Sequence, residues 1–189
     1  LNRRCGWLFS LPAALLALCL MSAALALVAA EFETVQARVP SFEAFFAAKN
    51  WAWLAATLCL TKIIHELGHG LACKRFGGEC HEMGVMLLVC TPCLYCNVSD
   101  AWMIASRWRR AAVGAAGMYV ELIVASLATF LWWFSEPGLF NHLCLNVMFV
   151  SSASTLLFNA NPLMRFDGYY ILADLLEIPN LRQKSATII

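Results

Sequence analysis

The sequence predicts an all-α polytopic membrane protein with about four transmembrane helices and a short strand or re-entrant segment between the second and third. Of the 189 residues, 61% are hydrophobic and 13% are charged, whereas soluble domains average about 45–50% and about 25%. Long segments with little or no charge also follow one another along the chain. A soluble globular domain and a disordered chain are therefore excluded. The net charge of +1 gives no electrostatic footprint for nucleic acid.

The predicted spans are residues 5–30, 51–73, 111–134 and 139–160, and each offers about the 20 residues that cross a bilayer as a helix. The first span follows Arg3 and Arg4, as a signal peptide would. Its apolar run exceeds the roughly 7–15 residues typical of a signal peptide, so a retained helix is favoured. The chain starts with Leu1, and we expect residues 1–189 to be one membrane-embedded core taken from a longer protein.

Two shorter segments complete the organisation. Residues 84–99 carry no charge but contain Pro92 and several strand formers, which favours a strand pair or a re-entrant segment over a spanning helix. Basic residues concentrate at the N-terminal end, between residues 74 and 110, and after the fourth span. With four spans these basic segments all lie on one side of the membrane, which predicts cytoplasmic termini.

His65, Glu66 and His69 form an H-E-x-x-H motif on the second predicted span. Residues i and i+4 share one helix face, so both imidazoles can reach one metal ion. Glu66 can accept a proton from a water molecule on that metal. The alternative is a pair of histidines satisfied by neighbouring groups, but unpaired polar groups at membrane depth cost several kcal/mol. The motif therefore favours a zinc site.

A catalytic zinc ion needs a third protein ligand, for which Asp167 is the best candidate. Asp167 lies where Pro162 and Gly168 interrupt the fourth hydrophobic segment, and broken helices mark sites at membrane depth. Residues 161–178 would then supply the ligand and a following helix, which Asp167 is also placed to cap. The other candidate ligands are Glu121, His81, His142 and the cysteines.

Together these motifs resemble the site-2 protease family of intramembrane zinc metalloproteases, in its bacterial peptide zinc metalloprotease-like branch. That family carries H-E-x-x-H on one membrane helix and N-x-x-P-x-x-x-L-D-G near another. Here the second motif is residues 159–168, N-A-N-P-L-M-R-F-D-G, and Phe166 replaces the leucine. The resemblance covers residues 51–177.

The resemblance implies a zinc metalloendopeptidase that hydrolyses peptide bonds within or beside the membrane. It implies zinc ligands at His65, His69 and Asp167, with Glu66 as the catalytic base and Asn159 orienting the substrate or the ligand segment. The implied setting is the bacterial inner membrane. The implied partners are the lipid bilayer, a membrane-protein or peptide substrate, and secretion-adaptor-like domains fused to or associated with this core.

Three other interpretations remain open at this point. The chain could be a non-proteolytic component of a peptide export, maturation or immunity system that retains the zinc-protease fold. A haem protein is disfavoured because histidines at i and i+4 of one helix cannot occupy opposite axial positions. A soluble-type protease with a membrane anchor would need a polar cleft domain, and no stretch of the sequence is long enough for one.

For the cysteine cluster and for Glu121 we favour a structural role over a functional one. Cys90, Cys93 and Cys96 are spaced as C-x2-C-x2-C, but an iron–sulfur run needs a fourth cysteine about three residues on. A second zinc site completed by Cys80 or Cys73 is the alternative to ordinary packing. Glu121, the charged residue of the third span, is expected to be a structural carboxylate that pairs with Lys62, Arg165 or a proton.

Overall fold

The computed structural model describes residues 6–88 and 91–178. These residues form, in order, α1 (Leu11–Ala30), α2 (Phe32–Arg38), α3 (Phe42–Phe45), α4 (Ala48–Arg75), β1 (Met83–Leu88), β2 (Thr91–Cys96), α5 (Arg107–Phe134), α6 (Leu139–Ala153) and α7 (Asp167–Leu176). Short 3-10 turns lie at Gly6–Phe9 and Ser99–Met103, and a π-helical turn, Ser154–Asn159, continues α6. The protein is thus mostly helical with one small sheet, as the sequence predicts.

Three of the described helices are long and apolar enough to cross a membrane, namely α1, α5 and the continuous Leu139–Asn159 helix. These helices indicate a membrane protein. The predicted span 51–73 lies within α4, a 28-residue helix, but Lys62, Glu66 and two histidines lower the hydropathy of its second half. The count of four spans and the cytoplasmic termini therefore stay predictions.

Helix α1 is apolar on every side, which is typical of a helix surrounded by lipid. Its large residues point outward, since Leu15, Leu18 and Leu25 are all exposed. Its buried residues are instead the small ones, Ala13, Ala17 and Ala24. Small residues let helix backbones approach closely in a membrane, so α1 packs with its alanine face inward.

Helix α5 is the centre of the bundle, because α1, α4, α6 and α7 all pack against it. The contact with α4 is tight: a Cβ atom on Gly68 would lie 2.8 Å from the carbonyl oxygen of Ala116. At that position the two helix backbones are almost in contact. The side chain of Tyr119 ties the N-terminal region to α5 by donating a hydrogen bond to the carbonyl of Leu8, at 3.1 Å.

Strands β1 and β2 form an antiparallel hairpin with Met83 paired to Cys96 and Leu88 paired to Thr91. The expectation of a strand pair within residues 84–99 is therefore confirmed. The C-terminal end of β2 packs on α4, where a Cβ atom on Gly70 would lie 3.2 Å from the sulfur of Cys96. The hairpin is thereby held beside the helix that carries the H-E-x-x-H motif.

The chain after α6 changes direction through two irregular segments. The π-helical turn Ser154–Asn159 ends the long helix, and residues 160–166 lead to the start of α7 at Asp167. Single π-helical turns occur frequently at functional sites. The close approach of Gly168 to the carbonyl oxygen of Ala160, 2.6 Å from an added Cβ atom, folds α7 back against the end of this turn.

The Gly68→Ala substitution is expected to destabilise the bundle by roughly 1–3 kcal/mol, the usual cost of overpacking, because the new methyl group would meet backbone that cannot move aside. Thermal unfolding of the purified protein in detergent measures the effect. Gly138→Ala is the matched control, since Gly138 has extended backbone and an added Cβ atom would meet nothing closer than 3.9 Å. Equal unfolding temperatures for the two variants would contradict the tight α4–α5 contact.

Candidate metal centre

Three predicted ligands meet at the interface of α4, α5 and α7. His65 and His69 lie one turn apart on the buried face of α4, and Asp167 is the first residue of α7. Their metal-ligating atoms all lie within 4.8 Å of one another. Both histidines are buried, while the carboxylate of Asp167 remains 21% exposed. The site is thus enclosed on the histidine side and reachable on the aspartate side.

The spacing of these atoms suits zinc. The Nε2 atoms of His65 and His69 are 3.1 Å apart. Oδ2 of Asp167 lies 3.0 Å from Nε2 of His65, and Oδ1 of Asp167 lies 3.5 Å from Nε2 of His69. Ligand atoms about 2.0–2.1 Å from a tetrahedral zinc ion lie roughly 3.3 Å from one another. These separations are close to those of ligand atoms that share one zinc ion, and the ligating atoms of the three residues all lie within 4.8 Å of one another.

The ring of His69 is fixed in the orientation that metal binding requires. Its Nδ1 atom lies 2.8 Å from the carbonyl oxygen of Val113, and a carbonyl oxygen only accepts hydrogen bonds. Nδ1 must therefore carry the proton and donate it. In the neutral ring this leaves the lone pair on Nε2, directed at the shared centre, as is usual for histidine ligands of metals.

A gap in α5 makes room for the two rings. A Cβ atom on Gly117 would lie 2.5 Å from Cε1 of His65 and 2.6 Å from Nε2 of both histidines. These separations are shorter than carbon contacts in real structures, so no larger residue fits here while the rings keep their places. Gly117 therefore supplies the space in which the two Nε2 atoms converge.

Two buried polar atoms of the cluster make no hydrogen bond of acceptable geometry among the described residues, although each has an ionisable neighbour within 3.5 Å. They are Nδ1 of His65 and Oδ2 of Asp167. Buried polar atoms are nearly always hydrogen-bonded, and metal coordination satisfies the carboxylate oxygen. This unsatisfied oxygen, the space at Gly117 and the histidine–carboxylate donor set together fit a zinc ion.

Glu66 lines a cavity of about 420 Å³ next to this cluster, together with His69 and Asp167. The wall opposite α4 includes the 97–102 segment that follows β2 and the first residues of α7. At its edge, Nε of Arg110 donates a hydrogen bond to Asp174 at 3.0 Å, which joins α5 to α7. Glu66, the general base predicted from the sequence, thus borders a cavity that also reaches two of the three candidate ligands.

Glu121 and Asn159 lie on the other side of His65, deeper in the bundle. Glu121 is 1% exposed and accepts a hydrogen bond from Lys62 at 3.0 Å. The side-chain amide of Asn159 donates to Glu121 at 3.2 Å. Of the partners that the sequence left open for Glu121, the structure selects Lys62. Asn159 therefore contacts the carboxylate that lies next to His65.

The remaining histidine candidates lie away from this centre. His81 is 3.2 Å from Asp100 in an exposed loop position. His142 is hydrogen-bonded to Asn50 at 2.7 Å, near the start of α6. In the part of the chain that the structure describes, neither belongs to a group of three side chains that could hold a metal ion. Within the described ranges, His65, His69 and Asp167 form the one such group.

The structure bears in part on the second zinc site that the sequence left open at the cysteines. The sulfur atoms of Cys80 and Cys96 are 3.1 Å apart, but with Cys73 they form no three-ligand group in the described part of the chain. Burial, followed by the hydrogen bond with Cys80, raises the pKa of the Cys96 thiol well above its usual range. Cys90 and the side chain of Cys93 lie outside the described residues.

Some contributions to the centre have no sequence signature. The carbonyl of Val113 is a backbone group, so only the structure assigns it to His69. Gly114 and Gly117 indicate close helix approach in the sequence, but the pattern does not tell which of them faces the histidines. The spacing Val113–Gly117–Glu121, four residues at each step along α5, is the signal that one face of that helix serves the site.

One curated relative resembles the chain over much of its length. The Bacillus subtilis (strain 168) protein named "Putative peptide zinc metalloprotease protein YydH" is 27% identical over 135 residues, which cover 71% of this chain. The aligned region is 52% of that protein, so the chain spans about half the length of the relative. No family model matches the chain, and no solved structure matches it significantly. The relative supports a distant zinc metalloprotease-like relationship.

The Gly117→Ala substitution is expected to weaken metal binding roughly tenfold or more, the scale on which displaced ligand supports act, because the methyl group would push both Nε2 atoms out of place. Zinc content after dialysis against a weak chelator measures this. The control is Gly114→Ala, one turn away, where an added Cβ atom would meet only the flexible side chain of Ile171 at 3.0 Å. Full zinc retention by the Gly117→Ala protein would count against a metal at this position.

Proposed function

We propose that this chain is the catalytic core of an intramembrane zinc metalloprotease of the site-2 type. The observation that carries the proposal is the convergence of His65, His69 and Asp167 beside a cavity lined by Glu66. The surrounding bundle contains three helices that are long and apolar enough to cross a membrane. The printed name of the Bacillus subtilis relative supports the zinc protease part of this proposal.

The three ligand side chains would hold the metal from two directions. His65 and His69 approach from the buried face of α4, and Asp167 approaches from the start of α7. When bound, a zinc ion lowers the pKa of its water to about 7 and polarises a carbonyl oxygen of the substrate. The aspartate also brings a negative charge, which offsets the cost of a divalent cation at membrane depth.

Glu66 would carry the proton transfers of peptide hydrolysis. It lies next to His65 in the chain and lines the cavity together with His69 and Asp167. From there its carboxylate accepts the proton of the attacking water and later delivers it to the amine of the leaving peptide. The predicted roles of base and ligand are thus divided between neighbouring residues of one helix turn.

The substrate would be a locally unwound segment of a membrane protein or peptide. A peptide bond inside an intact helix is shielded by its own hydrogen bonds and side chains, so it cannot reach Glu66 until the helix opens. The cavity offers polar groups from Asn97, Ser99 and Arg110, which can pair with backbone groups freed by unwinding. We therefore expect cleavage near a helix-breaking residue.

A non-proteolytic component that retains this fold is the second candidate. It would keep the three ligands but would need neither Glu66 nor an open cavity. The position of Glu66 in the wall of the cavity favours the enzyme. The two candidates predict different outcomes when Glu66 alone is changed.

We expect the purified protein to contain about one zinc ion per chain, as a site with three protein ligands does. His65→Ala and Asp167→Ala should each remove most of this metal, since each deletes one of the three ligands. Elemental analysis of protein purified without a metal-affinity tag gives the stoichiometry. His142→Ala is the matched control, because His142 is a helical histidine hydrogen-bonded elsewhere. Zinc loss from that control alone would place the metal at another site.

The Glu66→Gln protein should keep its zinc but lose peptide cleavage by about 10²–10⁴-fold, the usual contribution of a general base. The measurement is cleavage of a transmembrane model peptide with a central helix-breaking pair, followed by mass spectrometry. Glu82→Gln, which changes an exposed glutamate of the following loop, is the control. An undiminished product yield from the Glu66→Gln protein would remove the enzyme from consideration.

A further inference from the structure

The carboxylate of Glu121 is surrounded by four groups from two segments of the chain, α4 and the π-helical turn. Oε1 accepts from Nζ of Lys62 on α4 at 3.0 Å. Oε2 accepts from Oγ1 of Thr155 at 2.6 Å and from the amide of Asn159 at 3.2 Å, both on the π-helical turn. The remaining neighbour of Oε2 is Nδ1 of His65 at 3.5 Å. The side chain of Glu121 is wholly buried, so these contacts fix its position.

Among the described residues, Glu121 is the acidic partner of Nδ1 of His65. That atom is buried and makes no hydrogen bond within geometric limits in the described residues, and Oε2 of Glu121 lies 3.5 Å from it. If Nε2 binds a metal, the proton of the neutral ring must sit on Nδ1. That proton then points at Glu121, and a small tilt of the ring closes the 3.5 Å separation into a hydrogen bond.

The two histidines are supported in the same way by one helix. Nδ1 of His69 donates to the carbonyl of Val113, and Nδ1 of His65 faces Glu121. Val113 and Glu121 lie eight residues apart on α5, with Gly117 halfway between them at the point where both Nε2 atoms meet. One face of α5 therefore presents a carbonyl acceptor at Val113, space for the rings at Gly117 and a carboxylate acceptor at Glu121.

Resting on the zinc site proposed above, we propose that Glu121 is a positioning residue that holds His65 with its proton on Nδ1 and its Nε2 lone pair toward the metal. Thr155 and Asn159 keep Oε2 directed at the ring, and Lys62 compensates the charge of the carboxylate. Such outer hydrogen bonds to ligating histidines typically set metal affinity by 10–100-fold.

The competing interpretation makes Glu121 only the partner of Lys62 in a structural ion pair. Replacing both members of a buried pair by apolar residues of similar size is often neutral for stability. The double variant Lys62→Met/Glu121→Leu therefore removes the acceptor for His65 without leaving an unpaired charge. The double variant Lys62→Met/Glu121→Gln removes the same charges but keeps an oxygen that can accept from His65.

The decisive measurement is the affinity for Zn²⁺ of the full chain in detergent, by competition with a chromophoric chelator. We expect the affinity for Zn²⁺ to decrease from the wild type to the glutamine double variant and again to the leucine double variant. The total decrease should be about 10–100-fold. The unfolding temperature without metal is recorded in parallel. The control Asn146→Leu removes a fully buried polar side chain that is bonded to Asn50, so it perturbs the bundle without touching the site.

A second readout follows the proton directly. The chain has four histidines, so ring ¹⁵N chemical shifts can be assigned by single substitution. In the metal-free leucine double variant, at a pH where the ring is neutral, the proton of His65 should move from Nδ1 toward Nε2, while that of His69 stays on Nδ1. A purely structural role for Glu121 leaves the tautomer of His65 unchanged.

Equal zinc affinities for the wild type and both double variants would overturn the role of Glu121 and leave the proposed zinc protease intact. The same holds if Asn146→Leu weakens Zn²⁺ binding as much as the leucine double variant does. If the wild type binds Zn²⁺ no better than the His65→Ala protein, the proposed function falls, and the role of Glu121 falls with it. The two failures are therefore distinguishable.

Discussion

The close contact between α4 and α5 is the constraint on which the site depends. It exists because two positions at the contact are glycines. Gly68 lets the α4 backbone approach Ala116, and Gly117 leaves room for the histidine rings. At this distance α5 can serve the site with its backbone as well as its side chains, through the carbonyl of Val113. A metal centre built between two packed helices is held more rigidly than one built on loops.

Charge compensation explains why so many ionisable groups can lie inside this bundle. Lys62 and Glu121 form an ion pair and cancel each other at the α4–α5 interface. Asp167 and Glu66 then bring two further negative charges to the neighbourhood of the histidines. A bound divalent cation would make the cluster close to neutral, and an approximately neutral cluster avoids most of the cost of charge at membrane depth.

The sequence predicts the parts of the site that follow from spacing, and misses those that follow from packing. The shared face of His65 and His69 is a consequence of helix geometry, and the hairpin near Pro92 follows from strand formers in a broken apolar segment. The sequence pairs Asp167 with the histidines only through the helix break and the family motif, and the structure brings these residues together. By contrast, choosing Lys62 over Arg165 as the partner of Glu121 requires knowing which helix faces which, and periodicity does not contain that information.

The two ends of the bundle are built for different tasks. Near the start of α4, Asn50 bonds to both Asn146 and His142, and the guanidinium of Arg38 lies over Trp132 at 5.0 Å. These contacts join α2, α4, α5 and α6 at that end. At the other end the cavity beside Glu66 is bordered by the loop after β2 and by the Arg110–Asp174 pair. The cavity therefore adjoins the candidate site at one end, while polar contacts that involve none of the three candidate ligands join the helices at the other end.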